Sequence, residues 1–253
     1  MGAFKRHRTR SRINRRITRF ARGCIIVNLL FIHGSGCTGA AFDAQREAFP
    51  NAHAPNLPGH DAPGAPASVD EFAAFVESYI ARHALENVVL VGNSLGGAVA
   101  LECALHGNSF VAGIVLVGSG ARLRVAPALF ENLKRDFERA TSELAMLFFA
   151  DPTPVRVSAA IASLRGVGQA QVVRDFAACN AFDVMDRVGE LSVPLLALTG
   201  DADAMTPPKF AQFLADRVAG ARSRILPNAG HLAMIERPDE TNAAIRAFVE
   251  ELP

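Results

Sequence analysis

The sequence predicts an α/β domain: a mostly parallel central sheet with helices on both faces and a small helical insertion. Three observations predict it. Short apolar runs alternate with amphipathic stretches along most of the chain, which is the rhythm of strand–helix units. The runs are continuously apolar, as strands buried on both faces are. One long stretch, residues 121–190, shows helical patterns and no convincing strand, and the strand rhythm resumes only at Val193.

The elements follow in chain order. Residues 25–32 form the first apolar run, which ends at His33-Gly34. A helix carrying Phe42 and Phe49 is expected next. Ser68 with Glu71 three residues later is a capping box, so a helix opens there and runs to about His83. Residues 88–91 are the second strand, 95–105 an apolar helix, and 113–117 the third strand. After the helical stretch, residues 193–198 form another strand, and Pro207 after Thr206 is placed to start a helix. Residues 224–226 make a short last strand, and Pro238 opens the closing helix. The expected organisation is a basic tail over 1–23, a core over 24–120 and 191–253, and a helical lid over 121–190. Such a lid would lie over the carboxyl ends of the strands, where open α/β sheets bind ligands.

Composition narrows the function classes. The formal charge of +1 hides an asymmetry, because residues 1–22 hold nine Lys/Arg and no acid. The remainder carries 17 basic against 25 acidic residues. That acidic body argues against nucleic-acid binding, since phosphate contacts dominate such affinity. An Arg-rich, acid-free stretch suits a transit peptide or a nucleic-acid arm, but the plainer reading is a disordered tail, with the compact fold able to begin at Val27. No run of 18 uncharged apolar residues occurs, so no membrane span is expected. Cys24, Cys37, Cys103 and Cys179 sit at no metal-like or disulfide-framework spacing. They read as small buried hydrophobes in a reducing, cytoplasmic compartment.

The chemistry-bearing residues lie at strand ends. Gly92-Asn93-Ser94-Leu95-Gly96 matches G-x-S-x-G between a strand and an apolar helix. In that strand–turn–helix context the glycines permit a sharp turn that exposes the serine hydroxyl; a serine that merely caps the helix is the plainer alternative. A hydroxyl becomes a good nucleophile only when a base takes its proton. His231, in Asn228-Ala229-Gly230-His231 after the last strand, is placed to be that base, whereas His7, His83 and His106 sit in the tail or near helix ends. An acid should orient the imidazole. Gly200-Asp201-Ala202-Asp203 offers two, and the rival turn at 118–121 has none. Charge developing on a substrate oxygen needs backbone N–H donors. One is expected from Leu95 and one from the loop His33-Gly34-Ser35-Gly36.

Together HGSG at 33–36, LPGH at 57–60, GNSLGG at 92–97, GDAD at 200–203 and GH at 230–231 resemble the α/β-hydrolase superfamily, particularly its lidded, esterase-like serine hydrolases. The resemblance spans about residues 25–252. It implies that the fourth residue of the G-x-x-D turn, Asp203, is the triad acid, with Ser94 as nucleophile and His231 as base. It further implies that Ser35 supplies the oxyanion amide beside that of Leu95. Asn93 stands where many members have His, and Cys37 where similar carbon–carbon bond hydrolases often have Pro. The hairpin that usually precedes the first parallel strand is not recognisable in the basic tail.

The expected activity is cleavage of a small or medium carboxylic ester through an acyl-enzyme, with thioester, lactone or carbon–carbon bond cleavage as alternatives on the same triad. A small-molecule acyl substrate is the expected partner, and the mechanism calls for no metal or organic cofactor. Met146, Phe148 and Phe149 in the helical stretch are candidates for an acyl pocket. Gly34 to Gly39 also matches the dinucleotide fingerprint G-x-G-x-x-G, but residues 51–56 lack the acid that would hold a ribose. A non-catalytic receptor on the same scaffold is the remaining class, because fold does not dictate function.

Overall fold

A computed structural model describes residues 27–61 and 68–253. The basic tail, Cys24 and the start of the first apolar run therefore lie outside the described residues. Five strands form one sheet in the order β1-β2-β3-β4-β5, and every pairing is parallel. They are β1 (Asn28–Ile32), β2 (Val88–Asn93), β3 (Val111–Val117), β4 (Leu195–Gly200) and β5 (Arg222–Leu226). Beyond β1 the chain near His53 adds a single parallel bridge to Leu30, a one-residue extension of that edge.

Side chains alternate between the two faces with period two, and each face has its own core. On one, Leu30, Leu90, Ile114, Leu116 and Ala197 meet α2 (Val69–Arg82), α3 (Leu95–Leu105) and α8 (Lys209–Arg217). On the other, Phe31, Val91, Val115, Val117 and Leu198 meet α10 (Pro238–Glu250) and Phe42, which precedes α1 (Asp43–Ala48). The short α9 (Ala233–Glu236) leads into α10 and was not evident in the sequence. Helix α3 is buried on nearly all sides, which explains why its sequence is apolar without an amphipathic stripe. The predicted cap holds at α2, where the Ser68 side chain accepts from the Glu71 N–H at 3.2 Å. The helix expected at Pro207 begins two residues later, at Lys209.

Between β3 and β4 the chain forms α4 (Pro127–Arg135), α5 (Phe137–Leu147), α6 (Pro154–Val167) and α7 (Gln169–Ala181). Among the described residues this stretch contains no strand, only the bridge between Arg122 and Asp183. Leu144, Phe148, Leu164, Val172 and Phe176 join one core cluster, whereas Ala178 and Cys179 join the other. The insertion is thus packed onto the body through buried apolar contacts.

Candidate active site

Strand β2 ends at Asn93 and α3 begins at Leu95, so Ser94 is the only residue between them. Its backbone adopts φ 51° and ψ −114°. A non-glycine residue in such a sparsely populated conformation costs about 1–3 kcal/mol. The surroundings hold it there. The Ser94 N–H donates to the Val117 carbonyl at 3.1 Å, and the Ser119 hydroxyl donates to the Ser94 carbonyl at 2.8 Å. The flanking glycines are steric requirements. A Cβ on Gly92 would lie 2.1 Å from the Gly96 carbonyl oxygen, and one on Gly96 would lie 2.0 Å from that of Ile32. Gly92→Ala is therefore expected to cost about 3 kcal/mol or more, because backbone rather than a movable side chain blocks the added carbon. A thermal melt tests this, and an unchanged Tm would contradict it.

Asp203 and His231 lie together at the same end of the sheet, on the turns after β4 and β5. His231 Nδ1 is 3.0 Å from Asp203 Oδ2 and 3.2 Å from Oδ1. Both residues are buried. The N–H groups of Met205 and Thr206 donate to Oδ1 at 2.9 and 2.8 Å, and the Thr206 hydroxyl donates to Oδ2 at 2.7 Å. Burial alone would raise the Asp203 pKa. The charge and hydrogen bond of His231, with the donors of Thr206, outweigh it and hold the carboxyl below its usual value. A depressed carboxylate stabilises the fold above its unfolded pKa near 4, and that contribution is lost as pH falls through the folded value. Asp201 is exposed and, among the described residues, accepts from the Ala229 N–H alone, at 3.3 Å.

Asn93 joins these parts. Its side-chain amide donates to the Val117 carbonyl at 2.9 Å and to the His231 carbonyl at 3.2 Å. The residue beside Ser94 thus anchors the loop that carries His231. Gly118 lies in the same junction: a Cβ there would stand 3.0 Å from Asp203 Oδ2 and 3.2 Å from His231 Nδ1.

The His33–Gly36 loop abuts the elbow, since a Cβ on Gly34 would come within 3.3 Å of the Ser94 Cβ. His33 Nε2 accepts from the Leu57 N–H at 2.9 Å, which leaves Nδ1 as the protonated nitrogen, 3.0 Å from the Gly34 carbonyl oxygen. Burial, reinforced by neighbouring His60, pushes the His33 pKa down to about 3, so the imidazole is neutral. Gly36 N–H is already committed to Asp175 Oδ2 at 2.9 Å. Among the described residues nothing accepts the Ser35 N–H. Leu95, the first residue of α3, has an N–H with no intrahelical acceptor.

A cavity of about 230 Å³ lies beside this cluster. Phe148, Phe149, Ala160, Leu232 and Cys37 are among its walls. Phe148 also stacks on the His231 ring, with centroids 6.2 Å apart. Met146 corrects the expectation: it is 49 % exposed and does not line this cavity. The buried stripe of α5 runs through Leu144, Ala145 and on to Phe148, which turns Met146 to the outer face.

Several residues at the site went unread in the sequence. Thr206 looked only like a residue before a helix, although its side chain contacts both Asp203 and, at 3.2 Å, His231 Nδ1. Glu236 accepts from the N–H groups of Gly230, Ala150 and Asp151, tying the His231 loop to the connection between α5 and α6 of the insertion. The sequence carried no signal for either pairing.

Comparison with known proteins bears on the family and the fold. The model of the alpha/beta hydrolase family matches residues 29–244. A pimeloyl-[acyl-carrier protein] methyl ester esterase of Vibrio vulnificus strain YJ016 is 28% identical over 234 residues, covering 84% of this chain and 90% of that protein. The protein of the same name from Vibrio cholerae is 30% identical over 209 residues, covering 74% and 80%. Among solved structures, a thermophilic esterase superposes with a TM-score of 0.80 at 29% identity, covering 88% and 89%. An esterase from Exiguobacterium antarcticum gives 0.82 at 21% identity, covering 88% and 92%, a likeness of fold. With the family model spanning most of its length, this chain belongs to the alpha/beta hydrolase family.

Proposed function

We propose that this chain cleaves a small or medium carboxylic ester through an acyl-enzyme on Ser94, with His231 as general base and acid and Asp203 as its orienting carboxylate. The observation that carries it is a strained serine at the end of β2, whose neighbour Asn93 is hydrogen-bonded to the residue that pairs with Asp203. Strain of this kind persists where it serves a function. The chain is a hydrolase acting on ester bonds, which accords with the methyl ester esterase activity in its relatives' names.

Each step follows from a named group. His231 takes the Ser94 proton as the hydroxyl attacks the ester carbonyl. The Ser35 and Leu95 amides hold the oxyanion of the tetrahedral intermediate. His231 then gives its proton to the departing alkoxide, and afterwards activates a water that releases the acid. Residues 121–190 act as the lid, and Phe148 and Phe149 form one wall of the acyl pocket. Among the described residues no helix is long and apolar enough to cross a membrane. Cys37, Cys103 and Cys179 are free, buried thiols, which supports a reducing, cytoplasmic setting.

A panel of p-nitrophenyl esters tests both chemistry and pocket. Each methylene buried in the cavity contributes about 0.8 kcal/mol, so kcat/KM should rise up to about fourfold per carbon until the pocket fills, then fall. A fluorophosphonate should label Ser94. Folded protein that turns over no ester and carries no Ser94 adduct would overturn the proposal.

A further inference from the structure

The oxyanion loop is gripped from above by the helical insertion. The Cys37 N–H donates to the Gly34 carbonyl at 3.2 Å, and Gly36 has φ +66°, so residues 34–37 form a turn of type II with Ser35 and Gly36 at its centre. The peptide between Ser35 and Gly36 is held by Asp175 of α7, whose Oδ2 accepts the Gly36 N–H at 2.9 Å. The next peptide is held by Ser163 of α6, whose hydroxyl donates to the Gly36 carbonyl at 2.9 Å. The preceding peptide, which carries the Ser35 N–H, is fixed through its carbonyl by His33 and Cys37. In a trans peptide the N–H and C=O point in opposite directions, so fixing one aims the other.

Asp175 is built to stay in place. Its side chain is fully buried, with Gln171 Nε2 donating to Oδ1 at 2.7 Å and His60 Nε2 at 3.0 Å from Oδ2. His60 Nδ1 faces the carbonyls of Leu57 and Pro58, both at 3.2 Å. Both ring nitrogens of His60 therefore face acceptors, and only the imidazolium satisfies them all. Burial opposes that charge, but the Asp175 carboxylate and the two carbonyls outweigh it and raise the His60 pKa. The neutral His33 ring packs edge-on at 4.6 Å.

We infer that Asp175 and Ser163 are positioning residues that set the orientation of the Ser35 amide from the helical insertion, so that the oxyanion hole is complete only when the insertion is seated. Type I and type II turns differ by a flip of the central peptide; the Gly36-to-Asp175 bond holds the second, and the turn so held keeps the Cys37 N–H on the Gly34 carbonyl, which fixes the peptide that carries the Ser35 N–H. Removing either clamp frees the turn to move, and the donor loses its aim at the developing charge.

This rests on the proposed Ser94 chemistry, and the experiment separates the two. Full-length wild type, Asp175→Leu, which removes the acceptor at similar volume, Ser163→Ala and Ser163→Thr are compared in kcat and KM on a p-nitrophenyl ester. The inhibition constant of an alkyl trifluoromethyl ketone is measured beside them, because its serine adduct carries the charged oxygen that the hole binds. Losing a whole oxyanion donor costs on the order of 10²–10³ in kcat, so misaiming one should cost about 100-fold in Asp175→Leu and about tenfold in Ser163→Ala. KM of Asp175→Leu should stay within about twofold, the ketone should weaken in parallel with kcat, and Ser163→Thr, although Ser163 also lines the cavity, should restore most of the kcat loss. A merely structural role would lower Tm and raise KM without that parallel. Should Asp175→Leu fail to fold, kcat and ketone binding of Ser163→Ala, read against Ser163→Thr, decide. Variants with wild-type kcat and ketone binding, on an active enzyme labelled at Ser94, overturn the inference alone. A wild type that is neither labelled nor active overturns the Ser94 chemistry and this inference with it.

Discussion

Ser94→Ala should lower kcat on esters by about 10⁴–10⁶-fold while leaving a folded protein. The hydroxyl is the atom that forms the acyl bond, and no neighbouring nucleophile stands ready to replace it. Cys37 and Cys179, the thiols nearest the His33–Gly36 loop, are buried and have their pKa pushed up to about 12, which keeps them from acting as thiolates. A Ser94→Gly variant should be equally inactive yet more stable than wild type by about 1 kcal/mol. Glycine accepts a φ of 51° without the penalty a side chain carries there. Opposite movements of Tm and activity would show that the backbone strain at the elbow is kept for function. Near-wild-type turnover in Ser94→Ala would remove the nucleophile from the mechanism.

The second large effect separates the two acids of the Gly200–Asp203 turn. Asp203→Asn is expected to cost about 10³–10⁴ in kcat, and Asp201→Asn less than about threefold. The surroundings dictate how the new amide must sit. Two backbone N–H groups, from Met205 and Thr206, point at Oδ1 and demand an acceptor there. The oxygen of asparagine takes that position, which turns its NH₂ toward His231 Nδ1 and the Thr206 hydroxyl. The NH₂ then donates to Nδ1, the imidazole proton moves to Nε2, and the nitrogen that should take the serine proton is no longer a base. At Asp201 an asparagine keeps the oxygen that the Ala229 N–H needs. Steady-state rates of the two variants, measured side by side, test this. A larger loss at Asp201 would reverse the assignment.

The elbow was legible because its determinants are local. Gly92, Ser94 and Gly96 fall within five residues between a strand and a helix, and the steric reasons for both glycines lie within the same strand–turn–helix unit and β1. The order of Ser94, Asp203 and His231 was legible because Ser94 and Asp203 each sit just after an apolar run and His231 follows the short last strand. By contrast, the bond from Gly36 to Asp175 joins residues 139 apart, and on paper Asp175 is one polar residue on an otherwise ordinary helix. Glu236, 86 residues from Ala150, is hidden in the same way. The misplacement of Met146 has a different origin. On a helix as short as α5 a composition of apolar residues does not give the rotational phase, and the packing against Phe148 sets it.

The sequence by itself determined the alternating α/β architecture, the place of the helical insertion, and a serine, a histidine and a two-acid turn as the groups suited to acyl transfer, because these depend on periodicity and on turns a few residues long. Tertiary structure alone decided which acid meets the imidazole, which insertion residues face the pocket and which hold the His33–Gly36 loop. Those contacts bring together polar groups from distant elements in a buried setting, where the cost of an unpaired hydrogen-bonding group selects partners that no local pattern announces.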